Sequence, residues 1–220
     1  VAVTSELRQW AIKVGNLQPE RTSTIGNGVN VELFRPIPSL DAKRRLGLNL
    51  DLRYLTFTSS LKPWHGTQIL IEALSTVIGE FPSSARLLVV GDGPERPRMV
   101  KLAQRLGVNH AIDWVGYVSF DKVSLYINAG EICLAPFTLE RNAKTGISPI
   151  KIFEYMACGR PFVTNRVEAA YDELIESCRC AVLIPPNDPV ELAQAIVRLL
   201  RDPEECVRMG QEGRRIAVER

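Results

Sequence analysis

The segment Leu87-Leu88-Val89-Val90-Gly91-Asp92-Gly93-Pro94 decides the predicted fold. Its four apolar residues form a continuous run, which is typical of a strand buried on both faces of a parallel sheet. The two glycines and the proline that follow predict a tight turn and the start of a helix. A strand that passes directly into a helix is the repeating unit of α/β proteins.

The same alternation of strand and helix extends from residue 54 to the end of the chain. Segments with apolar residues three and four positions apart, as in helices, separate the apolar runs. We therefore predict an α/β protein with a Rossmann-like, doubly wound parallel sheet of about six strands. The predicted strands are 54–58, 86–91, 112–115, 132–135, 161–164 and 181–184, and the predicted helices are 66–80, 94–106, 120–128, 149–157, 170–176, 189–200 and 203–218.

The first 37 residues have a different pattern. A helix is predicted over 5–15 and a short strand over 22–25, and a turn-rich stretch then leads to Pro36-Ile37-Pro38, which is a stiff linker. We place a domain boundary between residues 26 and 38. A helix that begins at Ser5, close to the start of the chain, is expected to be the remnant of a preceding domain.

Composition excludes several classes of protein. The chain has 220 residues, of which 45% are hydrophobic, so a disordered chain is excluded. No apolar run approaches the roughly 18 residues that a membrane span needs. Lys plus Arg number 27 and Asp plus Glu 25, which is too balanced for a nucleic-acid partner. The five cysteines lack the spacing of zinc ligands, and we expect no metal or cofactor.

Ligands of open parallel sheets bind beyond the carboxyl ends of the strands, so the loops at those ends are the candidate sites. The loop after the first predicted strand contains Ser60, Lys62, His65 and Gly66 and leads into a helix. A cation beside a helix N-terminus favours an anion such as phosphate. The alternative is a surface loop whose Trp64 packs on the domain.

The next two loops contain Gly91 and Gly116. The first begins like a dinucleotide-binding fingerprint, but its third glycine position is Arg96, so a tight turn is the better interpretation. Gly116 allows the backbone to approach a ligand closely. Tyr117 and Val118, which follow it, either border a base or cover the edge of the sheet.

The loop after the fourth strand is the richest in polar residues. It leads through Gly146 and Ile147 to a helix for which Ser148 is the expected N-cap, with Pro149 and Ile150 in the first turn. The free N–H groups of that helix suit a diphosphate. Lys151 and Glu154 are three residues apart and share one helix face. They are either a surface ion pair or a cation for phosphate with a carboxylate for ribose hydroxyls.

Taken in order, these segments resemble the C-terminal, nucleotide-sugar-binding domain of family 4 retaining glycosyltransferases (glycosyl transferases group 1). Those enzymes have the two-domain GT-B fold. The resemblance covers almost the whole chain. It rests on Gly26-Asn27-Gly28-Val29-Asn30, Lys62-Pro63-Trp64-His65-Gly66, Leu88-Val89-Val90-Gly91-Asp92-Gly93-Pro94, Gly116-Tyr117-Val118 and the run from Ser148 to Pro161.

The resemblance implies a role for each site residue. Glu154 binds the ribose, the backbone of residues 146–150 binds the diphosphate, and Tyr117 and Val118 border the base. The implied catalytic residues are Lys62, Lys151 and Glu154. The implied donor-binding residues are Ser60, His65, Gly66, Gly91, Gly116, Tyr117, Val118, Gly146, Ile147, Ser148, Pro149 and Ile150.

The chain also departs from the family pattern at three positions. The first Glu of the family's Glu, seven residues, Glu motif falls on Gly146. The Arg and Lys of the family's first loop fall on Ser60 and His65. Lys62 is therefore the expected source of positive charge for the donor phosphates, with help from Lys151.

The resemblance implies transfer of a hexose from a nucleotide-diphosphate sugar to an unknown acceptor, with retained configuration and without a metal. Residues 1–37 would be the remnant of an N-terminal acceptor domain plus the linker, and 38–220 the donor domain, inactive alone. It implies a cytoplasmic protein and allows peripheral association of the whole enzyme with the inner face of a membrane. A sugar-nucleotide epimerase of similar fold and a non-catalytic nucleotide-binding module remain as alternatives.

Overall fold

Six parallel strands form one sheet. The computed structural model describes residues 1–138, 149–166 and 179–219. The strands are β1 Arg53–Thr58, β2 Ala85–Val90, β3 Ile112–Gly116, β4 Ile132–Ala135, β5 Phe162–Asn165 and β6 Ala181–Ile184. Their order in the sheet is β3-β2-β1-β4-β5-β6, and the four central strands are buried along almost their whole length. The predicted doubly wound parallel sheet of about six strands is confirmed.

Eight α-helices accompany the sheet within the described ranges. They are α1 Ser5–Gly15, α2 Ser39–Leu46, α3 Thr67–Glu80, α4 Arg96–Arg105, α5 Phe120–Ala129, α6 Ile150–Ala157, α7 Pro189–Arg201 and α8 Pro203–Glu219. Side chains alternate along β4, so Leu134 joins the core beneath α3, α4 and α7, whereas Cys133 joins the core beneath α6 on the opposite face. The helices therefore cover both faces of the sheet, as predicted.

Several predicted elements differ from those in the structure. The predicted helix at 94–106 begins only at Arg96, because the Glu95 N–H still donates to the carbonyl of Leu61 in another loop. Pro149 precedes α6 as its N-cap instead of standing in its first turn. In place of a strand at 22–25 there is a single bridge between Ala2 and Thr24. Helix α2 was not predicted, and the predicted helix 170–176 lies outside the described residues.

The segment that precedes α2 packs against the sheet domain. Phe34 is buried and meets the ring of Phe120 at 5.3 Å between centroids, edge to face. Asn128 at the end of α5 accepts from the N–H of Ile37 at 2.9 Å and donates to the carbonyl of Arg35 at 3.0 Å. These bonds replace main-chain partners that the irregular segment lacks.

Helix α1 differs from the other helices because none of its residues is buried. Its N-cap Thr4 accepts from the N–H of Leu7 at 3.1 Å, which satisfies one free donor of the first turn. Across residues 1–138, 149–166 and 179–219, no helix is both long and apolar enough to cross a membrane.

Gly66 is the point at which the loop after β1 touches the loop after β4. It has a φ of 70°, and a Cβ atom built on it would lie 1.5 Å from the carbonyl oxygen of Pro136. No side chain fits there without separating the two loops. The contact therefore requires glycine for two independent reasons, namely backbone conformation and space.

We predict that Gly66→Ala lowers the free energy of unfolding by more than about 3 kcal/mol, because it adds a main-chain clash to the cost of a left-handed residue. The matched control is Gly47→Ala, because Gly47 has a φ of 67° but open space around its Cβ position. That variant loses only about 1 kcal/mol. Urea unfolding of both variants measures the difference, and equal losses would contradict the proposed contact.

Candidate functional site

The order of the strands places a crevice between the carboxyl ends of β1 and β4. Beyond β1 the chain turns to the face of α3, and beyond β4 it returns as α6 on the other face. Strand β1 pairs with β2 along its whole length but with β4 only at Leu55 and Thr56. The two strands therefore part before they end. Open α/β sheets bind ligands at such a point.

The loop after β1 is held in shape by the side chain of Ser59. Its hydroxyl accepts from the N–H of Leu61 at 3.1 Å and shares a hydrogen bond of 2.8 Å with Nδ1 of His65. Leu61 is buried with a φ of 41°, a conformation that few residues other than glycine adopt. His65 also lies edge-on to the ring of Phe137, 6.5 Å between centroids. The loop is thus rigid and leans against the loop after β4.

The loops after β2 and β3 are joined by main-chain contacts. The N–H of Gly91 donates to the carbonyl of Gly116 at 2.8 Å, and a Cβ on Gly91 would lie 2.0 Å from the carbonyl oxygen of Ser59. The Asp92 carboxylate accepts from the N–H of Gly93 and from the guanidinium of Arg96, which together lower the pKa of Asp92. Arg96 is thus a structural ion-pair partner.

Lys151, in the first turn of α6, places its ammonium group in the crevice. Its Nζ lies 4.6 Å from the ring centroid of Phe57 on β1 and 5.4 Å from that of Phe137 after β4. The residue as a whole is half-buried, but Nζ itself is buried and has no hydrogen-bond partner among the described residues. Burial lowers the pKa of Lys151 to about 7, although the nearby Glu154 opposes the shift.

Glu154 lies one turn further along α6 and is only 8% exposed. Burial raises the pKa of its carboxyl, and the charge of Lys151 offsets part of that rise. The two side chains influence each other electrostatically without forming a salt bridge. The alternative of a surface ion pair is therefore wrong, because both charged groups are buried and they form no salt bridge with each other or with another described residue.

Tyr155 is a site residue that the sequence analysis missed. Its phenol oxygen accepts from the Thr58 N–H at 3.2 Å, is 3.0 Å from the Thr58 hydroxyl, and donates to the carbonyl of Leu134 at 3.2 Å. Asn165 was missed as well: its amide side chain accepts from the N–H of Phe137 at 2.6 Å and donates to the carbonyl of the same residue at 2.7 Å. The one feature of the sequence that could have indicated Tyr155 and Asn165 is that each is a polar residue in an apolar segment.

The structure brings together only some of the predicted site residues. His65, Gly66, Lys151 and Glu154 come together around the crevice. Lys62 is exposed and lines a cavity of about 350 Å³ at the start of α3, together with Gly66 and Thr67. Exposed or at the loop surface are Ser60, Tyr117, Val118 and Ile150, with Tyr117 77% exposed. Gly146, Ile147 and Ser148 lie outside the described residues.

Two further features bear on ligands. A larger cavity, of about 740 Å³, lies at the amino ends of the strands, where it is bordered by Pro36, Arg160 and Cys206. The crevice is at the other end of the same strands, beyond their carboxyl ends. Within the described ranges, no cluster of three or more His, Cys, Asp or Glu residues has the geometry of a metal site.

We predict that Lys151→Met raises the free energy of unfolding at pH 7 by about 1–3 kcal/mol, because a buried charge without an acceptor is replaced by an apolar side chain. Unfolded Lys151 keeps its proton up to the ordinary pKa of 10.5, whereas the folded residue loses it above about 7. Between these values the unfolded state binds more protons, so wild-type stability rises with pH. The advantage of the variant should therefore shrink by about 2 kcal/mol from pH 7 to 9.

Urea unfolding at several pH values measures this difference. Lys43→Met is the matched control, because Lys43 is also buried but donates to the carbonyl of Leu52 at 2.7 Å. That variant leaves an acceptor unpaired and should lose stability at pH 7. A Lys151→Met variant that loses stability like the control would show that the ammonium has a partner.

Known proteins with this sequence pattern and fold are glycosyltransferases. The family described as Glycosyl transferases group 1 matches residues 53–202. D-inositol 3-phosphate glycosyltransferase of Acidothermus cellulolyticus is 31% identical over 208 residues, which are 90% of this chain and 44% of that protein. Alpha-D-kanosaminyltransferase of Streptomyces kanamyceticus is 28% identical over 78% of this chain and 42% of its own length. The chain thus spans about half the length of these curated relatives.

Solved structures agree in fold. Anabaena Alr3699/HepE, in complex with UDP and glucose, has a TM-score of 0.80 at 25% identity, covering 100% of this chain and 58% of that one. A C-terminal domain of a group 1 glycosyl transferase from Francisella tularensis covers 88% of this chain and 98% of its own, with a TM-score of 0.69 at 16% identity. The chain belongs to the glycosyl transferases group 1 and has the Rossmann-like fold of the C-terminal half of GT-B enzymes.

Proposed function

We propose that the crevice between β1 and β4 binds a nucleotide-diphosphate sugar, and that this chain is the donor-binding domain of a retaining, hexosyl-type glycosyltransferase. The observation that carries the proposal is the buried ammonium of Lys151, which lies beside the rings of Phe57 and Phe137 and has no acceptor among the described residues. A buried charge is costly unless it is paired. A ligand phosphate would supply the missing partner.

The main-chain donors of the crevice favour the same ligand. Helix α3 begins directly after Gly66 on one side, and α6 begins at Ile150 on the other. Neither helix has a side-chain cap, so N–H groups of their first turns can bind an anion, except that of Ile152, which donates to the carbonyl of Pro149 at 3.0 Å. The exposed Lys62, in the same loop as Gly66, adds a positive charge.

Glu154 supports a ribose next to that diphosphate. Its carboxylate has no hydrogen bond from the described residues and lies one helical turn below Lys151. A carboxylate accepts hydrogen bonds from vicinal hydroxyl groups, and burial makes each of these bonds count for more. We infer that Tyr117 and Val118, which follow β3, border the base. HepE was solved with UDP, which makes uridine the first base to test.

In the proposed reaction, the bond between the anomeric carbon and the diphosphate oxygen breaks while the oxygen of an acceptor hydroxyl bonds the same carbon with retained configuration. The hydroxyl proton passes to the leaving diphosphate oxygen. The leaving nucleoside diphosphate gains negative charge as the bond breaks. Lys62, Lys151 and the helix N–H groups stabilise that charge, and no metal enters the proposal. The acceptor is bound by an N-terminal domain, so this chain alone binds the donor without transferring the sugar.

The test of the proposal is a thermal-shift screen of this chain with UDP-, GDP- and ADP-sugars. A ligand that binds only the folded state raises the melting temperature, and a ligand at 100 times its Kd adds about 2.7 kcal/mol. We expect one base to stabilise the chain far more than the others. Absence of stabilisation by every donor would defeat the proposal. Conversion of the bound donor to its epimer would favour the epimerase alternative.

We predict that Glu154→Ala weakens binding of the stabilising nucleotide by about 1–3 kcal/mol, because charged hydrogen bonds to the ribose are lost. Glu204→Ala, which removes an exposed carboxylate from the first turn of α8, is the control and should leave affinity unchanged. Calorimetric titration measures both. An unchanged affinity for Glu154→Ala would remove this residue from the site.

We also predict that the affinity for UDP falls as the pH rises above about 7, because the free protein then loses the Lys151 proton that the diphosphate needs. The Kd should increase up to about tenfold per pH unit between 7.5 and 8.5. Lys151→Met should bind UDP weakly with no such dependence, whereas uridine affinity should change little in either protein. A steep pH dependence that persists in Lys151→Met would assign the titration to another group.

A further inference from the structure

The phenol of Tyr155 occupies the gap between β1 and β4, where a direct hydrogen bond between the strands would otherwise form. The Ser59 N–H donates to Val90 of β2, so the N–H of Thr58 points the other way, toward β4. The Cys133 N–H donates to Pro161 on the β5 side, so the carbonyl of Leu134 points toward β1. Both groups bond to the Tyr155 oxygen, each at 3.2 Å, and not to each other.

The phenol is fully satisfied in this position. Its oxygen accepts from the Thr58 N–H, lies 3.0 Å from the Thr58 hydroxyl and donates its own proton to Leu134. The residue is 0% exposed. Because one oxygen atom is inserted between the two main-chain groups, the strands are held farther apart than a direct bond would allow.

The Tyr155 phenol lies close to the residues of the proposed donor site. Tyr155 follows Glu154 directly and stands one turn after Lys151 on α6. Phe57, which contacts the Lys151 ammonium, precedes Thr58, so the strand residue that bonds the phenol adjoins the ring beneath the cation. A single side chain therefore ties the position of α6 to the ends of both strands.

We propose that Tyr155 is a positioning residue for donor binding: its phenol keeps β1 and β4 apart and thereby sets the place of Lys151 and Glu154 relative to the first loop. This inference rests on the proposed function. Tyr155 does not touch the donor. Without the hydroxyl, Thr58 and Leu134 lose their shared hydrogen-bond partner. The position of α6 relative to the loop after β1 is then no longer fixed.

Tyr155→Phe tests the proposal, with Tyr54→Phe as its matched control. Tyr54 is also buried, but it lies on β1 itself at the amino end of the strand, so the control removes a buried phenol hydroxyl far from the crevice. UDP, GDP and ADP are titrated calorimetrically at a temperature at which all proteins are folded. For the nucleotide that binds wild type best, we expect the Kd to rise about five- to twentyfold in Tyr155→Phe and less than about twofold in Tyr54→Phe.

Two further measurements separate positioning from a general loss of stability. The effect of Tyr155→Phe on the Kd should largely disappear in a Lys151→Met, Glu154→Gln background, because the residue acts through those groups. Hydrogen exchange of the Thr58 amide should be faster in Tyr155→Phe and unchanged in Tyr54→Phe. Additive effects on the Kd, or an unchanged Thr58 amide, would overturn the proposal.

The failure of this inference can be told apart from the failure of the proposed function. If wild type binds a nucleotide and Tyr155→Phe binds it equally well, only the role of Tyr155 is wrong. If wild type binds none of UDP, GDP and ADP, the donor site is wrong, and the role of Tyr155 falls with it.

Discussion

The separation of β1 from β4 is the constraint on which the candidate site depends. Strand order reverses at β1, so the helices that follow the two strands leave toward opposite faces of the sheet. Two helix N-termini then face one gap, which main-chain bonds cannot fill because the strands pair only at Leu55 and Thr56. The gap is occupied by side chains of α6 instead. In the proposed site, Lys151 and Glu154 are the polar groups of α6 that the donor meets.

Burial of Lys151 and Glu154 lowers the stability of the folded chain. Helix α6 is mostly apolar and mostly buried, yet it carries Lys151 and Glu154. Burial moves the pKa values of these two residues in opposite directions, toward the neutral forms. Packing alone would favour apolar residues at both positions. A charge retained where it destabilises the free protein is typical of a functional site. The same burial strengthens each interaction once a ligand supplies the partner.

The periodicity of the sequence was enough to predict the sheet, but it did not predict which side chains are buried in the candidate site. The strands at Ile132–Ala135 and Ala181–Ile184 follow directly from apolar runs. The helix predicted over 5–15 is found at Ser5–Gly15. Helix spacing also places Lys151 and Glu154 on one face, but it does not show whether that face is exposed to solvent or buried. Their burial depends on Phe57, which is almost a hundred residues earlier in the chain. The role of Tyr155 likewise depends on strands that only the fold brings next to it.

The position of Lys151 offers an explanation for the departures of this chain from the family pattern. The resemblance implies an Arg and a Lys in the first loop, where this chain has Ser60 and His65, and a Glu where it has Gly146. Loss of two cations from a solvated loop removes charges that water already screens. One ammonium in the crevice, flanked by Phe57 and Phe137, is screened much less. We therefore expect this chain to stabilise its leaving diphosphate mainly from α6, with Lys62 in the lesser role.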